Sequence, residues 1–158
     1  GGVDCLDEDP QTAVRCFHKA IELDNEYVAP YIGLGTVYFS ANLSKAEAYL
    51  HCAFELSQAK FGNKWPSSLE WGDVDNRQYL LAIHYQGLVL WRQNKPEEAM
   101  KLFKLLLQLN PADNQGARYL VAAIYEGLTW GAPTLDNDTM MGDVLLRQNT
   151  KHKFFKYG

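Results

Sequence analysis

Two short stretches of the chain place a cysteine close to a histidine. His51 directly precedes Cys52, and Cys16 lies two residues before His18, so each stretch could supply a thiol nucleophile or a metal ligand. Both stretches lie in segments that we predict to be helical, where neighbouring side chains point about 100° apart. Neither pair can hydrogen-bond directly, and we predict packed or surface residues in both places.

Two acidic runs carry the oxygen ligands of a calcium loop, but not its full pattern. Asp73, Asp75 and Asn76 form the first run, and Asp136 and Asp138 form the second. A calcium-binding loop also needs glycine at its sixth position and glutamate at its twelfth, and both runs lack them. Helix capping therefore explains these residues better. Phosphate-binding glycine loops, GxSxG and HExxH are absent as well. We predict no catalytic residue, no metal, no cofactor and no enzymatic activity.

The three cysteines, Cys5, Cys16 and Cys52, contain no CxxC pair. This pattern argues against a disulfide framework and against a four-cysteine zinc site, and it predicts reduced thiols and a cytoplasmic location. No apolar run approaches the eighteen residues of a membrane helix, and no basic start precedes an apolar segment. We therefore predict neither a membrane span nor a signal peptide, and no membrane partner.

Charge is distributed unevenly along the 158 residues, whose formal net charge is -4. Seven acids fall within residues 1–26, whereas the last twelve residues carry Arg147, Lys151, Lys153 and Lys156 and no acid. An acidic surface repels a phosphate backbone, so we predict no nucleic-acid partner. The two ends are simply solvated, or they associate head to tail, or the basic tail binds an acidic partner. Head-to-tail association would make the protein a homo-oligomer.

A four-then-three spacing of small and large apolar residues recurs three times. It is clearest in residues 96–120, and its copies are Ala13, Phe17 and Ala20; Ala46, Leu50 and Ala53; and Ala99, Phe103 and Leu106. Such spacing places each trio on one face of a helix. Ala46 follows Ala13 by 33 residues and Ala99 follows Ala46 by 53. The longer interval equals one repeat of roughly 34 residues plus an insertion of about 19.

Turn and capping residues divide the chain into predicted elements. We predict helices over 10–23, over about 27–41, from an N-cap at Ser44 into the start of the insertion after Gln58, from Asp75 or Asn76 to about 93, over 96–110, over about 114–128, and within 134–158. The insertion between Gln58 and Arg77 carries Trp65, Leu69 and Trp71. A disordered linker would not contain these large side chains, so we predict an ordered loop.

These features together resemble the tetratricopeptide repeat, which has two helices per unit and a period near 34. The best copy runs from Ile83 to Pro111 and includes Gly87; the next runs from Tyr31 to Ala53 and includes Gly35. Gln86 departs from the family's leucine, and Asn42 and Asn94 replace the glycine between paired helices, a position where asparagine tolerates left-handed backbone. The segment LNPADNQGARYL is similar to bacterial members of the family.

The resemblance implies an all-α, right-handed superhelix of antiparallel helix pairs with a C-terminal capping helix. We accordingly predict a single domain over 1–158, composed of an acidic lead-in (1–9), a partial repeat plus a repeat (10–57), the insertion (58–77), a repeat plus a following helix (78–128), and a capping helix with a basic tail (134–158). The last helix would cover the apolar face of the final repeat.

In this family the first helix of each pair lines a concave groove that binds peptides. Matching the helices places in that groove Phe39, His84, Tyr85, Leu88, Trp91, Arg92, Arg118 and Tyr119, with Ile32, Thr36 and Ala122 beside them. Aromatic and arginine side chains dominate binding energies at interfaces. The alternative for Trp91 and Tyr85 is that they belong to the core between repeats.

Three functions remain open. The first is a non-catalytic module, or scaffold, that binds a peptide or a partner protein in the groove. The second is a structural element that assembles with copies of itself. The third is a regulatory fragment of a longer enzyme. Chaperone-type domains of the family hold a peptide carboxylate with lysine and asparagine, whereas Ile32, Thr36, His84 and Leu88 stand at comparable places here, which disfavours that specialised function.

Overall fold

The computed structural model describes residues 9–130. Within that range the chain forms six α-helices and one turn of 3-10 helix, with no strand, so the all-α prediction is confirmed. The helices are α1 (Pro10–Leu23), α2 (Val28–Tyr38), α3 (Leu43–Lys60), α4 (Arg77–Arg92), α5 (Pro96–Leu109) and α6 (Ala117–Tyr125), and the 3-10 turn is Val74–Asn76. Residues 1–8 of the predicted acidic lead-in and the predicted capping helix in 134–158 lie outside the described residues.

The chain divides into two compact units, Gly1–Trp65 and Pro66–Gly158. The boundary falls inside segment 58–77, which the repeat spacing marks as an insertion in the predicted single domain. Unit one contains α1, α2 and α3, and unit two contains α4, α5 and α6. Among residues 9–130 no helix combines the length and apolar character needed to cross a bilayer.

Helix α1 begins as the sequence predicts. Asp9 has an extended backbone, its carboxylate accepts a hydrogen bond from the Thr12 amide at 2.9 Å, and Pro10 occupies the first helical position. An N-cap acid followed by proline satisfies a free amide and fixes φ where no donor is needed. The helix ends at Leu23, and the Asp24 amide donates back to the Ala20 carbonyl.

The α2–α3 pair of unit one packs through a glycine. A Cβ atom added to Gly35 would overlap the Leu50 side chain, and one added to Gly33 would overlap the Phe17 ring from α1. The absent side chains thus allow the helices to approach closely. Helix α3 starts at Leu43, because Asn42 caps it by accepting from the Lys45 amide at 3.2 Å. The predicted cap at Ser44 is therefore wrong.

The α4–α5 pair of unit two repeats this packing. A Cβ atom on Gly87 would overlap the ring of Phe103, which is completely buried. Asn94, in the turn between these helices, has φ of +62°, the left-handed conformation predicted for it. Asn42 differs, since its φ of −147° is extended, so the same prediction is wrong there.

The segment between α3 and α4 is ordered by contacts of its large side chains, as predicted. In unit one Trp65 lies 6.0 Å from the ring of Phe54 and 5.8 Å from that of Phe61, measured between centroids. In unit two Leu69 is buried, and its amide donates to the Leu109 carbonyl at 2.8 Å. That carbonyl ends α5 and would otherwise lack a donor.

Two other helix starts refine the predictions. Asp73 accepts from the Asp75 amide at 3.1 Å and caps the 3-10 turn that leads into α4, which agrees with capping as the role of this acidic run. Helix α6 begins at Ala117, three residues after the predicted start. Asp113 and Gly116 there have φ of +53° and +72°, and these left-handed residues interrupt the helix.

Candidate functional site

Helices α4 and α6 run parallel to each other at one side of unit two. Near the start of both, the Gln115 side-chain amide donates to the Leu80 carbonyl at 3.2 Å. Near the end of both, the Trp91 indole N–H donates to the Leu128 carbonyl at 3.2 Å. Because Gln115 precedes α6 and Leu128 follows it, the two bonds fix the direction of α6 relative to α4. Helix α5, which follows the short turn at 93–95, packs against both α4 and α6.

One face of α4 carries side chains that are only partly buried. Leu81, Tyr85, Leu88 and Arg92 follow one another at spacings of four, three and four, and each keeps part of its surface exposed. This spacing places them on one stripe of the helix. The stripe, which we call the α4 face, combines apolar, aromatic and guanidinium groups. Such groups can bind a peptide, but they include no nucleophile.

His84 lies beside this face and is mostly buried. Its Nδ1 atom is 3.2 Å from the Gln115 Nε2 atom, and its ring lies 5.8 Å from Tyr85 and 6.2 Å edge-on to Phe103. Since Nε2 of Gln115 is a donor, His84 Nδ1 must accept, and its proton resides on Nε2. Burial lowers the pKa of His84 from 6.5 to about 4. The ring is therefore neutral at pH 7.

The loop before α6 is built around the carboxylate of Asp113, whose side chain is 2% exposed. Its oxygens accept from the Ala117 amide at 2.7 Å and the Arg118 amide at 3.2 Å. The Nε atom of Arg118 lies 3.5 Å from Asp113 Oδ2. Burial raises the pKa of this carboxyl, while the amides of Arg118 and Ala117 and the guanidinium oppose that rise.

Arg118 is thus committed mainly to its own loop. Its guanidinium carbon lies 5.6 Å from the Tyr119 ring centroid while its Nε atom faces Asp113. About a third of the side chain remains exposed, against almost none of Asp113. Arg118 therefore serves first as a counterion to a buried acid, and only its outer part can meet a ligand.

The structure separates the predicted groove residues into three groups. His84, Tyr85, Leu88 and Arg92 share one side of α4, with Arg118 and Tyr119 on the parallel helix. Trp91 is 3% exposed and packs edge-on against Trp130 at 5.8 Å, so it belongs to the core of unit two and cannot contact a ligand in this conformation. Phe39 belongs to unit one, where it ends α2.

Sequence reasoning missed Gln115, Asp113 and Leu81. Gln115 and Asp113 fall in a turn whose residues are typical of any loop, and only the tertiary contacts distinguish them. The signal for Leu81 was present in the chain. It precedes Tyr85 by four residues and Leu88 by seven, which is the period of a helical face.

The adjacent His51 and Cys52 have separate partners in the first unit. His51 Nε2 lies 2.9 Å from the Glu55 carboxylate on the surface, whereas the Cys52 thiol is hydrogen-bonded to the Tyr31 hydroxyl. The two neighbours therefore point to different surroundings, as predicted. Burial raises the pKa of Cys52, which keeps the thiol protonated and weakens it as a nucleophile.

The prediction that the cysteines are reduced is wrong for Cys16, which is disulfide-bonded, while Cys52 is free. That prediction was based on the odd number of cysteines. An odd number prevents all three cysteines from pairing, but it still allows one disulfide bond. Across residues 9–130 no three His, Cys, Asp or Glu side chains converge closely enough to hold a metal ion. Asp136 and Asp138 lie outside that range.

No family model, curated protein or solved structure matches the chain at a significant level. The functional argument consequently rests on the contacts of the chain itself.

Proposed function

We propose that the protein is a non-catalytic, tetratricopeptide-like interaction module that binds a peptide or a segment of a partner protein on the α4 face and the adjoining side of α6. In this proposal the α2–α3 and α4–α5 pairs are successive repeats, α1 is the second half of a preceding repeat, and the pairs continue as a right-handed superhelix. The family resemblance is to bacterial-type members.

The repeated packing supports the assignment to this family. Gly35 meets Leu50 and Gly87 meets Phe103, and each contact joins the first helix of a pair to the second. The large residue follows the alanine of its trio by four positions in both pairs, at Ala46 and at Ala99. In both helix pairs, which lie in different units, a glycine thus meets a large apolar residue that follows an alanine by four positions, and such recurrence is what a repeat requires.

The parallel arrangement of α4 and α6 carries the functional part of the proposal. First helices of adjacent repeats in this family lie parallel and form the ligand side, and the bonds from Gln115 and Trp91 give α4 and α6 that relation. Tyr85, Leu88 and Arg92 remain partly exposed beside it. An aromatic ring, an aliphatic side chain and a guanidinium in one stripe suit an apolar or carboxylate-bearing peptide.

The proposal is tested by selecting peptides from a random displayed library on the full chain and measuring their affinity for variants. The double substitution Tyr85→Ala with Leu88→Ala removes the centre of the α4 face. We expect it to weaken the selected peptides at least tenfold, because central aromatic and aliphatic contacts carry most of such energies. Fluorescence anisotropy of labelled peptides gives the affinities.

A matched control removes side chains of similar size elsewhere in unit two. Lys101→Ala with Gln108→Ala changes two exposed positions of α5 and should alter the affinity less than twofold. The proposal fails if the α4-face variant, still folded by circular dichroism, binds every selected peptide as tightly as the parent chain does.

A further inference from the structure

The side-chain amide of Gln115 holds the His84 ring in one tautomer. Its Nε2 atom lies 3.2 Å from the Leu80 carbonyl oxygen and 3.2 Å from His84 Nδ1. A carbonyl oxygen can only accept, so the atom beside it must be the amide nitrogen, whose two N–H groups serve Leu80 and His84. Burial lowers the pKa of His84 to about 4, so its ring carries one proton at pH 7. That proton is on Nε2, which is therefore a donor.

Within residues 9–130 no acceptor faces this Nε2–H group. The hydrogen bond of His84 in that range is the one at Nδ1, and the ring's other neighbours are Tyr85 and Phe103. In the same range the buried side-chain nitrogen and oxygen atoms that lack a hydrogen bond are Gln78 Oε1, Gln86 Oε1 and Arg118 Nε. His84 Nε2 is not one of them, so it keeps contact with solvent.

The His84 side chain lies where the α4 face meets α6. His84 and Trp91 are seven residues apart and share one stripe of α4, and both bond to groups that flank α6. Leu81 and Leu88 of the α4 face lie three residues before and four residues after His84, which makes them its neighbours on the helix surface. The open donor is thus at the edge of the surface that we assign to the peptide.

We propose that His84 Nε2–H donates a hydrogen bond to a main-chain carbonyl of the bound peptide, and that the ligand of the α4 face is an extended segment. This inference rests on the proposed function, because it concerns the same surface. Carbonyls inside a helix accept from amides of the next turn, and only those of its last turn are free. An extended segment has a free carbonyl at each position, so it can meet His84 along its whole length.

An uncharged donor selects an uncharged acceptor. A ligand N–H or ammonium group would face another donor at His84 Nε2 and lose a hydrogen bond. A ligand carboxylate is matched better by the guanidinium of Arg92, which lies eight residues, or about 12 Å, further along α4. A main-chain carbonyl is the acceptor that needs no charge. Apolar side chains of the same peptide then lie on Tyr85 and Leu88.

Two substitutions at position 84 separate the roles of the two ring nitrogens. His84→Asn keeps an acceptor for Gln115 but has no donor at the place of Nε2, whereas His84→Gln can place an amide N–H there. The probe is the tightest peptide from the displayed library, labelled for fluorescence anisotropy with the full chain. We expect His84→Asn to weaken it about fivefold, which corresponds to one neutral hydrogen bond, and His84→Gln to restore much of that loss.

The matched control is His51→Asn, the same substitution at a side chain of α3 that is 59% exposed. It should change the affinity less than twofold. Circular dichroism shows that each variant is folded.

Modified peptides test the same bond from the ligand side. Each amide of the probe is replaced in turn by an ester, whose carbonyl is a weaker acceptor. One replacement should weaken binding to the parent chain and should weaken binding to His84→Asn much less, because the bond is already absent there. A version with α-aminoisobutyric acid at alternate positions, which favours a helix, should bind at least tenfold more weakly.

Heteronuclear NMR of the parent chain provides a test that needs no substitution. We expect His84 to be protonated at Nε2 and unprotonated at Nδ1 in the free protein. Saturation with the probe should slow the exchange of the Nε2 proton with water. A proton on Nδ1, or an exchange rate that the probe leaves unchanged, would overturn the inference.

Four results of the binding experiments would also overturn it. They are equal affinity of the parent and His84→Asn, an equal loss in His51→Asn, ester effects that are the same in both proteins, and tighter binding of the helix-favouring peptide. If Tyr85→Ala with Leu88→Ala still weakens the probe, the proposed groove stands without the His84 bond. If that variant binds as tightly as the parent, or the library gives no peptide, the groove and the inference fail together.

Discussion

The α2–α3 and α4–α5 pairs are built on the same contact but differ in the chemistry around it. In both, a glycine of the first helix lies against a large side chain of the second, Gly35 against Leu50 and Gly87 against Phe103. The glycines are 52 residues apart and their partners are 53 apart. The scaffold is therefore repeated to within one residue.

The first helices of the two pairs, α2 and α4, differ in polarity. His84 stands 52 residues after Ile32, which is buried and apolar, and α2 as a whole carries no charge. At the equivalent places α4 has a buried imidazole bound to Gln115, and it ends in Arg92. Matching positions of the two first helices thus carry the apolar Ile32 in one unit and the polar His84 in the other. The side chains beside the shared glycine contact can therefore change while the contact itself is kept.

The largest effects should come from truncating Leu50 and Phe103, the large side chains that contact the two glycines. Phe103→Ala should lower the free energy of unfolding by about 4 kcal/mol and Leu50→Ala by about 3 kcal/mol, because both side chains are fully buried and leave cavities. Urea denaturation measures both. Leu23→Ala, at a side chain that is 78% exposed, is the control and should have an effect below about 0.5 kcal/mol. A small loss at Leu50 would show that the pairs are not equivalent.

Acidification should destabilise the second unit more than the first, because only the second has a buried histidine at this position. The pKa of His84 is lowered from 6.5 to about 4, so its contribution to stability is complete above pH 6.5 and is lost as the pH falls toward 4. The loss should approach about 3 kcal/mol, since the unfolded chain binds the proton more tightly. Denaturation at a series of pH values measures it.

The matched variant for this experiment is His84→Ile, which copies the residue of the first pair. It should remove most of the dependence on pH between 6.5 and 4, while Ile32→Val should leave that dependence intact. An unchanged pH profile in His84→Ile would show that another group causes the acid sensitivity.

Adding one methyl group to each glycine probes the shared contact more gently. Gly35→Ala and Gly87→Ala should each cost about 2 kcal/mol, because the new Cβ overlaps a buried side chain. In an open helix the same change would stabilise by about 1 kcal/mol. Gly72→Ala, where no atom lies within 4 Å of the added Cβ, is the control for the second unit. Thermal or urea unfolding shows whether each substitution stabilises or destabilises the protein.

The smallest effects should come from Asn42 and Asn94, the asparagines in the two inter-helix turns. Asn94 has φ of +62°, so Asn94→Gly should be neutral or slightly stabilising while Asn94→Ala costs about 1 kcal/mol. Asn42 caps α3 from an extended backbone, so Asn42→Asp should preserve stability while Asn42→Ala costs about 1 kcal/mol. A loss in Asn42→Asp as large as that in Asn42→Ala would contradict the cap role of Asn42, and a loss in Asn94→Gly as large as that in Asn94→Ala would contradict the left-handed role of Asn94.

The helices themselves could be predicted because their causes are local. Asp9 and Pro10 start α1, and the four-then-three trios mark the buried faces of α1, α3 and α5. The errors fall where local chemistry is ambiguous. Ser44 and Asn42 are both good caps, and only the backbone angle at Asn42 decides between them. Similarly, the left-handed backbone of Gly116 delays the start of α6 to Ala117, and helix propensity alone does not predict that position.

The candidate site was predictable only in outline. Matching helices assigned His84, Tyr85, Leu88 and Arg92 to a groove; the structure has these four residues on one side of α4, and their role in binding stays a prediction. It could not tell that Trp91 turns into the core, because the residues that cover it, Leu128 and Trp130, lie 37 and 39 positions away in the chain. The disulfide at Cys16 was missed for a similar reason, since pairing depends on proximity in space and not on spacing.

The hydrogen bond from Leu69 to the end of α5 determines where the second unit can be cut from the chain. Counted by repeats, residues 58–77 are extra, and Gln78 would be the natural first residue of an excised fragment. Such a fragment would leave the Leu109 carbonyl without its donor and remove the buried Leu69 side chain. A fragment beginning at Pro66 keeps both. A fragment of the second unit that is meant to fold on its own should therefore include the second half of the insertion, from Pro66 onward.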